Sequence, residues 1–124
     1  MKLNKIISYE VYPFDLLVSF NESDEEFKSK LKEFEIEFED DVILSFDNIK
    51  SNRGRTIMLS SGQSILRLNF FPKTSTEFGI LQHEIFHCVE FLFDRVGMKL
   101  SFKSDEAYAY LIQFLTIKIY ELIK

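Results

Sequence analysis

The stretch Phe78–Asp94, FGILQHEIFHCVEFLFD, decides the fold. Its apolar residues Ile80, Leu81, Ile85, Phe86, Val89, Phe91, Leu92 and Phe93 leave little of a helix surface for water, so this segment reads as a helix at the centre of a domain. One polar stripe interrupts it. His83, His87, Glu90 and Asp94 recur at i, i+4, i+7 and i+11 and share a face, with Glu84 beside them.

His83-Glu84-Ile85-Phe86-His87 is an HExxH pattern. Two imidazoles four residues apart on a helix stand about 6 Å apart along its axis, close enough to reach one ion. Zinc accepts such nitrogens at about 2.0–2.1 Å. Glu84 lies off the ligand axis, where it reaches a metal-held water and takes its proton. Only two histidines occur in 124 residues, and both fall in the motif. Chance gives this on the order of once in several hundred chains. The alternative is a pair of core histidines satisfied by hydrogen bonds, which a Phe/Leu/Ile surround is poorly equipped to supply.

Working outward, the length predicts one domain over residues 1–124 with a sizeable core. Apolar residues make up 46% of the chain and 14 residues are Phe, which excludes a disordered composition. A net charge of −5 argues against nucleic acid as a partner. Cys88 is the only cysteine, so no internal disulfide forms and a reducing compartment fits; the residue is expected to pack in the core. The N-terminus starts basic, but Glu10 and Asp15 interrupt the chain before a proper apolar run, so no secretory signal is expected. The apolar run 107–123 is broken by Gln113, Thr116, Lys118 and Glu121, which favours a packed helix over a membrane span. The expected setting is the cytoplasm.

Residues 6–12 predict a short strand or extended arm before Pro13, and Phe14–Phe20 a strand. Ser23-Asp24-Glu25-Glu26 is a capping box that opens a helix to about Lys32. Glu33–Glu39 alternates strictly and predicts a strand, followed by the apolar run Val42–Phe46. Thr56–Ser60 and Ser64–Phe71 predict a hairpin turning through Ser61-Gly62-Gln63. Thr74 or Ser75 is the expected N-cap of the central helix, and Gly97 its stop. Ser104 is expected to cap a last helix reaching about Ile123. The fold class is α+β: a small mixed or antiparallel sheet of about four to five strands against three helices.

Two histidines do not complete a catalytic zinc site, which uses three protein ligands and leaves one position for water. Glu106, in the first turn of the last helix, comes after His87 across the eighteen residues 88–105, and Ala107 and Ala109 leave room for close approach. HExxH on one helix with Glu on the next resembles the gluzincin branch of the zincin metallopeptidases, over roughly residues 14–124. In size the chain is nearer to the minimal zincins encoded by bacteria and phages. The resemblance implies a zincin-like fold, His83, His87 and Glu106 as zinc ligands, and Glu84 as general base. Asp105 is the alternative third ligand.

Glu90 and Asp94 continue the ligand face and are candidates to orient a histidine or to pair with Arg95 or Arg67. Tyr110, four residues past Glu106, is a candidate hydrogen-bond donor to a ligand or an oxyanion, with core packing as the alternative; Tyr108 is expected to pack. The expected function is therefore zinc-dependent hydrolysis of a peptide or protein substrate, which adds along an edge formed by Ser64–Phe71. A zinc-stabilised binding module and a metal-free structural protein are the rival readings. Neither a nucleic-acid nor a membrane partner is expected, and the sequence does not specify an oligomeric state.

Overall fold

The computed structural model describes residues 1–33 and 52–124. Within them the chain runs β1 (Leu3–Ser8), β2 (Asp15–Phe20), α1 (Asp24–Glu33), β3 (Gly54–Met58), β4 (Ser64–Leu68), α2 (Ser75–Arg95) and α3 (Asp105–Ile123). The four described strands form one mixed sheet in the order β1-β2-β4-β3. β1 pairs antiparallel with β2, β2 parallel with β4, and β3 antiparallel with β4. The α+β class is as the sequence predicts.

Period-two alternation sorts the side chains onto two faces. Leu16, Val18, Phe20, Leu66 and Leu68 meet α2 and α3 in the larger core. Leu17 and Ile65 meet Phe27 and Leu31 of α1 on the opposite face. On α2, Leu81, Ile85, Cys88, Val89, Leu92 and Phe93 are buried; on α3, Tyr108, Leu111, Leu115 and Ile119 recur at intervals of three and four and fill the same core. Each fully buried Leu, Ile or Phe contributes about 1.5–3 kcal/mol, so this layer holds α2 in place.

Local signals fix the helix ends. Glu26 N–H donates to Ser23 Oγ at 3.1 Å and Ser23 N–H to Glu26 Oε1 at 3.2 Å, the expected capping box. Thr74 rather than Ser75 caps α2, with Glu77 reaching back to the Thr74 N–H at 3.0 Å. Those backbone bonds hold the Glu77 carboxyl below the usual range. At the other end Gly97 takes a left-handed φ of 82°, its N–H donates to the Asp94 carbonyl and the Met98 N–H to that of Phe93. This is a Schellman stop, and it places the end of the helix where the glycine predicts it.

Several expectations are corrected. The first strand is Leu3–Ser8, and Pro13 sits in the connection to β2 rather than beside a strand in 6–12. β4 ends at Leu68, and it lies between β2 and β3, so it offers no edge to a peptide. A strand spaced by sequence alone gives no sign of having a second neighbour, and here that neighbour is the distant β2. Ser104 precedes α3 but makes no side-chain cap; its hydroxyl turns back to the Lys99 carbonyl. Glu33 is the last residue of α1, and the rest of the Glu33–Glu39 and Val42–Phe46 expectation lies outside the described residues. Among the described residues no helix is long and apolar enough to cross a membrane.

Candidate metal centre

Helical spacing turns His83 and His87 away from the buried face of α2. Their side chains are 68% and 37% exposed. The two Nε2 atoms stand 3.1 Å apart. Nitrogens at that separation, each about 2.05 Å from a shared zinc, subtend about 100° at the metal, between octahedral and tetrahedral values. The same separation is that of an N–H···N hydrogen bond between the two rings, with one Nε2 as donor and the other as acceptor. His87 Nδ1 lies 3.3 Å from Glu90 Oε1. A proton on Nδ1, donated to that carboxylate, leaves the Nε2 lone pair for a metal and fixes the ring's orientation. Asp94, the other carboxylate of the stripe, is exposed near the end of α2.

Glu84 is turned from His83 by about 100° of helix and so points to the boundary between stripe and sheet. It is only 6% exposed. The Thr56 hydroxyl of β3 donates to Glu84 Oε1 at 2.8 Å and approaches the Glu84 carbonyl at 3.3 Å. The other oxygen, Oε2, lies 4.0 Å from His83 Nε2. That gap suits a water held beside the imidazoles and in reach of the carboxylate. Gly54 makes this approach possible. A Cβ there would lie 2.7 Å from Glu84 Cγ and 2.7 Å from Leu68 Cδ2. One turn further along α2, Cys88 is fully buried, and burial pushes its thiol pKa far up, with the charge of Glu84 adding to the effect. It behaves as the core residue expected, not as a thiolate ligand.

Glu106 is not brought to the imidazoles. α2 and α3 run antiparallel: Phe78 meets the ring of Tyr120, Gln82 Nε2 donates to Thr116 Oγ1 at 3.3 Å, and Phe93 meets the ring of Tyr108. The start of α3 is thus level with Phe93, about 9 Å along the axis from His87. Glu106 and Asp105 are exposed at that end. The eighteen-residue gap carries α2 two turns beyond His87 before the chain returns, and α3 begins too late to descend to the stripe. Among the described residues no group of three or more His, Cys, Asp and Glu side chains is placed to hold a metal ion.

No family model matches this chain, no curated protein is similar to it in sequence, and no solved structure is similar to its fold. The site therefore stands on its own geometry.

The remaining candidates separate. Tyr110 is 67% exposed and lines a groove of about 300 Å³ with Tyr9, Val11, Tyr12 and Phe93, not the cleft at His83. Tyr108 is buried, as expected, and its hydroxyl donates to the Met98 carbonyl at 3.1 Å. Arg95 donates to the Ser60 and Leu59 carbonyls, tying the β3–β4 turn to α2. Arg67 lies on the far face of the sheet, paired with Asp24 at 2.8 Å. An open cleft of about 420 Å³ borders His83, between Asn52, Arg53 and Gly54 on one side and Thr76, Gly79 and Ile80 on the other. Sequence reasoning missed Gly54 and Thr56. Their spacing of two puts both on one face of a strand, but nothing local says which helix that face meets.

Proposed function

We propose that this chain is a metal-dependent hydrolase acting on peptide bonds, with His83 and His87 as zinc ligands and Glu84 as general base. The observation that carries the reading is the 3.1 Å separation of two Nε2 atoms beside a carboxylate oxygen 4.0 Å from one of them. Bound zinc would supply a Lewis acid and a water of lowered pKa. The chain's own residues do the rest. Glu84 Oε2 accepts the proton of a water at the imidazole pair, Glu90 holds the His87 tautomer, and the cleft between 52–54 and 76–80 admits an extended substrate. Glu106, Asp105 and Tyr110 stand outside the proposed set, because the helix register puts the first two at the level of Phe93 and Tyr110 lines a different groove. A peptide or protein is the proposed partner and the cytoplasm the proposed setting.

The rival is a zinc-binding module without turnover. It is favoured by one observation, that the described residues supply two nitrogen ligands and no third side chain. Metal content by mass spectrometry, joined to digestion of a mixed peptide library, separates the two. The hydrolase reading expects stoichiometric zinc in wild type, loss in His83→Ala and retention in both Glu106→Ala and Glu84→Gln. It also expects cleavage by wild type that Glu84→Gln abolishes. Zinc without cleavage establishes the binding module, and loss of zinc in Glu106→Ala returns that carboxylate to the ligand set.

A further inference from the structure

We propose that Gly54 and Thr56 of β3 are positioning residues that divide the work of the two Glu84 oxygens. The catalytic meaning of this rests on the hydrolase reading; the hold itself does not. A glutamate side chain has several torsions, and next to an exposed imidazole it would sample several of them. Here one hydroxyl fixes it at two points, donating to Oε1 at 2.8 Å and lying 3.3 Å from the same residue's carbonyl. With Oε1 occupied, Oε2 is the oxygen left facing the imidazoles. Gly54 supplies the other side of the hold. Any side chain there would collide with Glu84 Cγ and with Leu68, so the strand backbone closes directly on the glutamate's methylenes.

The arrangement is not simply what packing requires. Glu84 sits against the Gly54 backbone, with the neutral Thr56 hydroxyl as its hydrogen-bond donor. Burying a carboxylate there is costly, and one neutral hydroxyl offsets only part of the cost. The hold keeps Oε2 aimed at the edge of the imidazole pair, which is what a general base needs before substrate arrives.

The test combines a readout without catalysis and one with it. In a urea cycle on metal-free protein, Thr56→Val lowers the midpoint by clearly more when residue 84 is Glu than in the Glu84→Ala background, where only the contact with the residue-84 carbonyl is left to lose. With one equivalent of Zn²⁺ and the peptide library, Thr56→Val lowers kcat by about 10–100-fold with KM within about twofold and zinc stoichiometry unchanged, and Thr56→Ser restores kcat. Gly54→Ala lowers kcat in the same sense. Equal midpoint shifts in the two backgrounds overturn the hold. A coupled cycle with kcat unaffected in a hydrolysing enzyme overturns the positioning role. A coupled cycle in a protein that hydrolyses nothing confirms the hold and sinks the hydrolase reading alone.

Discussion

The two faces of the sheet each bury a carboxylate, and they treat it differently. On the α1 face Asp24 receives Arg67 Nη1 at 2.8 Å, while Nη2 donates to the Glu22 carbonyl at 2.9 Å. The guanidinium lies 4.4 Å over the Phe27 ring, and the pair is 1% and 8% exposed. On the α2 face Glu84 is as deeply buried, yet its hydrogen-bond donor is the neutral hydroxyl of Thr56. Asp24 meets a guanidinium, and Glu84 meets a hydroxyl. A cancelled charge ties two elements together across 43 residues of sequence. A carboxyl held through one oxygen by a hydroxyl keeps its other oxygen facing the imidazole of His83.

The comparison yields graded expectations. Arg67→Met removes the buried guanidinium that meets Asp24 at 2.8 Å and is expected to cost about 3–5 kcal/mol by urea denaturation. A loss below about 1 kcal/mol would mean that the pair on the α1 face binds the fold no more tightly than Thr56 binds Glu84. The α2 face also carries an alkaline signature. Burial raises the Cys88 thiol and the Tyr9 phenol well above their ordinary values. Their folded pKa values exceed the unfolded ones, so the unfolded chain binds fewer protons at high pH. Their stabilisation is full below about pH 8.5, the ordinary thiol value, and falls above it by about 1.4 kcal/mol per pH unit for each ionising group. Denaturation midpoints at pH 7, 9 and 10 read this slope, and Cys88→Ala should flatten its first part.

Smaller effects sharpen the contrast. Glu84→Gln keeps an acceptor for Thr56 in place of the buried carboxyl, so its stability should lie within about 1 kcal/mol of wild type or above it. Asp24→Asn should cost clearly more in the same titration. Gly79→Ala is expected to stabilise α2 by about 0.5–1 kcal/mol, since nothing lies within 4 Å of a Cβ at that helical position. As it touches neither carboxylate, its increment should add independently to those of Arg67→Met and Glu84→Gln; non-additivity would show the two faces to be coupled.

Much of this was legible in residues that act on near neighbours. Ser23 and Thr74 each announce a helix start by meeting a glutamate three residues on, and Gly97 announces a stop because it alone adopts the left-handed turn cheaply there. The His83–His87 face and the turn of Glu84 toward the sheet come from 100° per residue. Glu106 was misplaced because counting residues between two helices does not say how far the first runs on before the chain returns. Tyr110 and Arg67 were misplaced for a related reason: a helix or strand face is known from periodicity, but not the element it faces.

The sequence by itself determined the helix that carries the imidazoles, its two ends, and the stripe that keeps both nitrogens together, because helical geometry is set within four residues. Only the tertiary structure decided that β4 is interior, that Asp24 rather than Glu90 meets Arg67, and that Thr56 reaches Glu84 across 28 residues. Those contacts depend on strand order and helix register, which the packing of distant side chains selects and no local pattern encodes.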